Sequence, residues 1–200
     1  IGVSSSFWFA DDVILFGEQR NYRDKIVLDL QTRYQKIVMT QWKNDYWLYL
    51  NKNLQFSTYD EPLYHEVLVH PAMSLHPNPM HVGVLGGGDG CAVREILKHD
   101  AVRQVSLVDL DPEMVRLGKT NDVLLRTNDS SFYDPKVTAY SDDAFHFMDT
   151  TNTLFDVLII DLPDPRNVEL SRLYSYEFYE MCKRHLRPGG LLITQAGSPY

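Results

Sequence analysis

His81-Val82-Gly83-Val84-Leu85-Gly86-Gly87-Gly88-Asp89-Gly90 decides the fold. A short apolar run closes on glycines, and a helical pattern follows from Cys91. That order reads as strand, tight turn, helix. Glycine allows positive φ and lets backbone N–H groups approach a ligand closely. The following helix would point its positive end at the same spot. The turn therefore offers donors, room and one fixed acid, Asp89.

Downstream the pattern repeats. Gln104–Leu110 reads as a strand ending in acids, with Asp111 capping a helix that starts at Pro112. Lys136–Tyr140 is a third strand, followed by Ser141-Asp142-Asp143-Ala144 and a helix. Phe155–Asp161 is near-continuously apolar, as a strand buried on both faces would be. Ser175–Leu186 reads as a helix stopped by Pro188-Gly189-Gly190, and Leu191–Gln195 as a fifth strand. Alternating strands and helices predict an α/β fold: a Rossmann-like, doubly wound parallel sheet of the methyltransferase-like kind.

Upstream the period changes to two. Ile26–Leu28, Lys36–Thr40, Tyr46–Leu50 and Leu54–Phe56 are β-branched and aromatic, with turns at Lys43–Asp45 and Asn51–Asn53. They predict a small N-terminal antiparallel β-domain, too small to bury much alone. It should pack on the next domain or on a second copy of itself. Asp60–Leu75 reads as a helix with Asp60 at its N-cap and Pro62 in its first turn, ending near His70-Pro71. His65-Glu66 and His70 resemble a zinc helix, but five residues turn about 140°, so the imidazoles do not share a face. Residues 1–21 read as an arm or linker remnant, 22–59 as a β-meander, and 60–200 as a nucleoside-binding catalytic domain cut short at its C-terminus.

Formal charge is −8, which argues against a nucleic-acid surface and suits a cationic small substrate. Cys91 and Cys182 lack metal or redox spacing and read as reduced packing residues of a cytosolic protein. No stretch reaches the ~18 apolar residues of a membrane span, and no signal peptide precedes the first strand.

The acids carry the function. Asp89, Asp109, Asp142 and Asp161 each stand at or just after the carboxyl end of a different strand, the edge where open α/β sheets bind ligands. Each alone could be a helix cap; four at one edge make an acidic cleft. A dinucleotide fits poorly, because Cys91 stands where its fingerprint wants Gly or Ala and Asp89 would repel a pyrophosphate. A nucleoside without phosphates fits better. Asp109, about twenty residues past the turn, can take both ribose hydroxyls. Asp142 can accept from an adenine amino group, and Asp89 then faces a cation. Adenosine joined to a sulfonium and an amine meets all three demands.

These residues resemble the spermidine synthase family, the polyamine aminopropyltransferases. The resemblance spans Tyr34–Tyr200 and rests on Tyr34-Gln35, Asp60-Glu61 with Tyr64-His65-Glu66, the Gly86–Gly90 turn, Arg94-Glu95, Asp161-x-x-Asp164-Pro165, and Gln195 before Ser198-Pro199. It implies a small β-domain on a seven-stranded Rossmann-like domain, a homo-oligomer such as a dimer, and no metal. The implied co-substrate is decarboxylated S-adenosylmethionine, the product methylthioadenosine, and the acceptor a diamine such as putrescine. Carried over, Asp89 takes the aminopropyl amine with Gln35 nearby. Asp109 takes the ribose, where the family usually has Glu. Asp142 takes the adenine beside the Asp143 backbone. His65, Gly86 and Gly88 complete the cofactor-binding set. Asp161 is the base, Tyr64 orients the acceptor amine, and Asp164 and Gln195 hold it.

Three departures stand out. Leu162-Pro163 replaces small polar residues, Arg166-Asn167-Val168 replaces a Gly-Pro segment, and Ala196-Gly197 replaces a common Gly-Glu pair. The last removes an expected ligand for the acceptor's distal ammonium. These variants look like the membrane-associated branch, whose synthase-like domain follows transmembrane helices. The resemblance then implies a cytoplasmic domain of a membrane-anchored protein, consistent with a start at Ile1 rather than Met. Two other readings share the fold: an S-adenosylmethionine-dependent methyltransferase, and a non-catalytic polyamine- or nucleoside-binding module. Ordinary S-adenosylmethionine would set its carboxylate beside Asp89, costing on the order of several kcal/mol at intermediate dielectric.

Overall fold

The computed structural model describes residues 18–163 and 168–195. The chain divides into two compact units, Ile1–Glu61 and Pro62–Tyr200.

In the first unit, β1 (Lys25–Gln31), β2 (Lys36–Trp42), β3 (Asp45–Leu50) and β4 (Asn53–Ser57) form one antiparallel sheet in sequence order. Its hairpins turn where predicted. Trp42 pairs with Asp45 and Leu50 with Asn53, leaving two-residue loops. Asn51 and Lys52 both take positive φ, 50° and 68°, which suits the right-handed twist of the flanking strands. On the inner strand β2, Ile37, Val38, Met39 and Thr40 are all buried, so both of its faces are covered.

In the second unit, β5 (His81–Gly86), β6 (Gln104–Asp109), β7 (Val137–Ser141), β8 (Phe155–Asp161) and β9 (Leu186–Thr194) form a parallel sheet in the order β7-β6-β5-β8-β9. Helices α1 (Glu61–Leu75), α2 (Cys91–Leu97), α3 (Pro112–Thr120), α4 (Asp122–Thr127), α5 (Ala144–Thr150), α6 (Val168–Ser171) and α7 (Tyr176–Arg184) accompany it. Alternating strand residues feed two cores. Val82, Val84, Val105, Leu107, Val157 and Ile159 pack with Leu68, Val69 and Met73 of α1 and Val93 and Ile96 of α2. Leu85, Val108, Leu158 and Ile160 pack with Phe147 and Met148 of α5 and Phe178 and Met181 of α7. At about 1.5–3 kcal/mol per large apolar side chain, these two layers supply most of the favourable energy of this unit.

The strand order has one consequence for function. The chain builds outward from β5 through β6 to β7, then returns to the other side of β5 for β8 and β9. The reversal lies at the carboxyl end of β5, beside the Gly86–Gly90 turn. In an open parallel sheet that switch point is the ligand crevice.

Two expected stops differ. α1 ends at Leu75, as the Asp60–Leu75 reading expected, and runs through Pro71 without stopping near His70-Pro71. Leu68, Val69, Ala72 and Met73 all pack into the core beyond and before the proline, and that burial outweighs one lost backbone bond. Pro188-Gly189-Gly190 does not precede the last strand; it lies inside β9. Phe155 pairs with Leu186 but Val157 pairs with Leu191, so the extra residues form a bulge, with Gly189 at φ 81°.

Candidate active site

Every acid expected at the sheet edge is there. Asp109 closes β6, Asp142 follows β7, Asp161 closes β8, and Asp89 lies in the turn after β5. Gly86 is level with Asp161 in the ladder, and Asp109 with Ser141. Gly86 takes φ 88°, and a Cβ there would collide with the Asp161 carbonyl oxygen. A Cβ at Gly88 would stand 2.6 Å from Asp109 Oδ2. The glycines thus let the turn lie directly against both neighbouring acids.

Asp161 faces a phenol. The Tyr64 hydroxyl, from α1, donates to Asp161 Oδ1 at 2.6 Å, and Gln195 Oε1 lies 3.0 Å from the same oxygen. A phenol has one proton, so Gln195 is a second acceptor sharing it. Gln195 Nε2 in turn donates to the Leu162 carbonyl. His65, one residue on and only 2% exposed, places Nε2 4.0 Å from Asp161 Oδ2. Burial pushes the Asp161 carboxyl above its usual range; the His65 and Tyr64 contacts oppose this, while the charge of Asp89 adds to it. Tyr64 rises far above the ordinary phenol range, through burial first and then the charge and hydrogen bond of Asp161. Tyr64 is therefore a neutral donor to the Asp161 carboxyl.

Asp109 is prepared differently. Gly88 N–H donates to Oδ2 at 2.9 Å and Asp111 N–H to Oδ1 at 2.8 Å. Each oxygen keeps a second lone pair beyond its backbone donor. Burial lifts its pKa to about 6, with the charges of Asp89 and Asp111 adding and the two backbone donors opposing. Asp89 Oδ1 accepts the Cys91 N–H at 2.8 Å, although the N-cap of α2 is Gly90 and not Asp89. Asp111 caps α3 as expected, accepting from Glu113 N–H.

Asp142 and Asp143 are more exposed and more occupied. Asp142 Oδ1 accepts the Asp143 N–H, and both its oxygens lie 3.0 Å from His146 Nδ1. Asp143 caps α5, accepting from Phe145 and His146 N–H groups, and pairs with Arg172. Sequence reasoning did not single out His146 or Arg172. The first had a signal, an i,i+4 spacing from Asp142 on one helix face; the second, far along the chain, had none. Asn128 was missed as well. It is buried, and its amide donates to the carbonyls of Asp89 and Gly118, bracing the turn from behind.

Gln35 belongs to the other unit, in the β1–β2 turn, where its N–H donates to Thr32 Oγ1. Asp164 lies outside the described residues. His65 and His70 do diverge: His65 turns to Asp161, His70 to Glu95. His65 is nonetheless beside Cys91, their candidate ligand atoms within 4.8 Å, and Glu61 stands one turn before it on α1. These are donor types a zinc ion accepts. Among the described residues no helix is long and apolar enough to cross a membrane.

Residues 61–200 match the sequence profile of the spermine/spermidine synthase domain. The chain belongs to the spermine/spermidine synthase family. It is 46% identical over 195 residues to the polyamine aminopropyltransferase of Oceanobacillus iheyensis, which covers 98% of this chain and 38% of the relative. The polyamine aminopropyltransferase of Leptospira interrogans is also 46% identical, over 96% of this chain and 39% of its own. Among solved structures, a spermidine synthase in complex with the transition-state analogue AdoDATO superposes with a TM-score of 0.82 at 30% identity, covering 88% of this chain and 59% of that one. The Thermotoga maritima spermidine synthase superposes with a TM-score of 0.80, also at 30% identity, over 88% of this chain and 58% of its own. The chain spans about two-fifths of the length of these curated relatives. Family membership carries the fold: an antiparallel sheet followed by a Rossmann-like parallel sheet, as the strand pattern predicted.

Proposed function

We propose that this chain carries the reaction site of a polyamine aminopropyltransferase. It would move an aminopropyl group from decarboxylated S-adenosylmethionine to a diamine such as putrescine and release methylthioadenosine. One observation carries the reading: Asp161, with a raised carboxyl and a neutral Tyr64 donor, sits beside Asp89 at the switch point of the sheet. Family membership supports it.

In this reading Asp109 accepts from both ribose hydroxyls, Asp142 from the adenine amino group beside the Asp143 backbone, and Asp89 from the aminopropyl ammonium. His65, Gly86 and Gly88 shape the pocket. The acceptor amine lies against Tyr64, Asp161 and Gln195; Asp164, assigned to the acceptor by resemblance, lies outside the described residues. A diamine is largely protonated at neutral pH, having a Lys-like pKa near ~10. Asp161 takes a proton, and the freed nitrogen lone pair attacks the propyl carbon bonded to sulfur. The C–N bond forms as the C–S bond breaks, and the sulfonium keeps the electron pair as a neutral thioether. A carboxyl raised toward working pH suits both halves of that exchange. Holding both cationic reactants in one acidic cleft removes much of the entropic barrier.

The polar-to-apolar change at Leu162-Pro163 and the Ala196-Gly197 pair support a reading of the chain as a cytoplasmic domain of the membrane-associated branch, and resemblance to the family supports a homodimer. Fractionation of the full-length protein and its sedimentation in detergent test these two points. The activity is tested by incubating the chain with decarboxylated S-adenosylmethionine and putrescine. Methylthioadenosine release is expected. Its absence with putrescine, spermidine and longer diamines alike would overturn the reading.

A further inference from the structure

Helix α1 carries Tyr64 and His65 in its first half and runs on through Pro71. Proline has no N–H, so the Val67 carbonyl loses its ladder donor there. His70 directly precedes that proline. Its Nε2 lies 2.9 Å from Glu95 Oε2 on α2, and its Nδ1 lies 2.9 Å from His99 Nε2. α2 itself continues the Gly86–Gly90 turn. The two imidazoles therefore connect the element that holds Tyr64 to the element that follows Asp89.

The chemistry of this chain fixes where its protons sit. The Glu95 side chain is fully buried, with Arg94 Nε 2.8 Å from Oε1 and Lys98 Nζ 2.7 Å from both oxygens. Burial raises the Glu95 carboxyl, but the hydrogen bonds and charges of Lys98 and Arg94 outweigh it and hold it below the usual range. Glu95 is anionic and only accepts, so His70 Nε2 carries a hydrogen. In neutral His70 the bare Nδ1 then accepts from His99 Nε2–H. One added proton fits: it sits on His70 Nδ1, and His99 changes tautomer to accept at Nε2. A second does not fit, because both facing nitrogens would carry hydrogens across 2.9 Å. Burial, followed by the charge of His70, lowers the His99 pKa against the pull of Glu95, in the same direction. Among the described residues Glu95 is the charged group in contact with the pair, and Arg94 and Lys98 lie behind it as its ion-pair partners.

We propose that His99, His70 and Glu95 form a single-proton strut that positions Tyr64 against Asp161, tolerating one added proton and parting at the second. His70 is thus a positioning residue for aminopropyl transfer, a role that rests on the reading of Tyr64 and Asp161 above.

The test uses the full chain and two readouts. Two-bond proton–nitrogen NMR of the imidazoles should show the Nε2–H tautomer for both residues at alkaline pH. On acidification the pair should titrate in two coupled steps and not as two independent groups. The Tyr64 ring-carbon signal should move with the second step. In His70→Phe that coupled movement should disappear, and kcat should fall at least about tenfold with KM for decarboxylated S-adenosylmethionine unchanged. His70→Gln, whose amide can still donate to Glu95, should recover kcat to within about threefold of the parent. A His70 Nδ1–H tautomer, two independent titrations, or His70→Phe with the parent's kcat and Tyr64 signal would overturn the strut. If the parent makes no methylthioadenosine, the reaction assignment fails while the tautomers and the Tyr64 signal still decide the strut. Should His70→Phe not fold, His99→Gln serves instead and must remove the second step.

Discussion

Asp161 and Asp142 each follow a parallel strand, β8 and β7, at the same edge of one sheet. Their surroundings differ. Asp161 is 11% exposed and faces a phenol, a buried imidazole and the charge of Asp89. Asp142 is 35% exposed and lies against His146, itself 64% exposed. The same carboxylate at the same kind of strand end is shut away from water in one place and faces it in the other. Desolvation makes the difference, since it penalises the ionised form only where water is excluded.

The largest test of that contrast is Asp161→Asn. It should lower kcat by about a thousandfold or more, as loss of a general base does, while methylthioadenosine affinity by calorimetry stays within about twofold. An active Asn variant would place Asp161 with Asp142 among the passive acids. Tyr64→Phe comes next. Losing a hydrogen bond to a charged group, about 1.5–3 kcal/mol, should cost kcat roughly ten- to a hundredfold. The Tyr64 bond holds the Asp161 pKa down, so its removal should move the acid limb of the kcat–pH profile to higher pH.

Asp109 gives an intermediate effect with a definite sign. Its carboxyl rises from 3.8 to about 6 in the folded chain. Between those values the folded state binds more protons than the unfolded one, so the ligand-free protein gains stability on acidification and loses it as pH rises through that window. Ribose recognition needs the carboxylate, so methylthioadenosine affinity should fall about tenfold per unit below that pKa. Calorimetry and thermal melts across this range should therefore move in opposite directions. Parallel movement would remove Asp109 from ribose binding. The smallest effect belongs to His146→Ala. The Asp142 hydrogen bond and charge raise the His146 pKa, so the pair helps folding at low pH and that help is lost as pH rises through the raised value. An exposed pair is worth little, and affinity should change less than about threefold. A larger loss would mean that His146 itself meets the base.

The acids were readable because strand-ending carboxylates and glycines leave local marks. Val105-Ser106-Leu107-Val108-Asp109 and Phe155–Asp161 announce both a strand and its ligand edge. Pro71 and Pro188-Gly189-Gly190 misled, since each is a local stop signal. Burial of Leu68 through Met73 in one case, and pairing of β9 with β8 on either side of a bulge in the other, overrode it. Arg172 beside Asp143, Asn128 behind Asp89, and the His70–Glu95 bridge join residues distant in sequence, and no spacing rule encodes such meetings.

Sequence by itself determined the order of elements, the parallel sheet, the family and the row of acids, because backbone period and turn chemistry are local properties. Only the tertiary structure decided which acid could hold a proton. That choice depends on how much water the folded chain excludes around each carboxylate and on which partners it brings from elsewhere. At Asp161 burial raises the carboxyl, and Tyr64, 97 residues away in sequence, opposes that rise through its hydrogen bond.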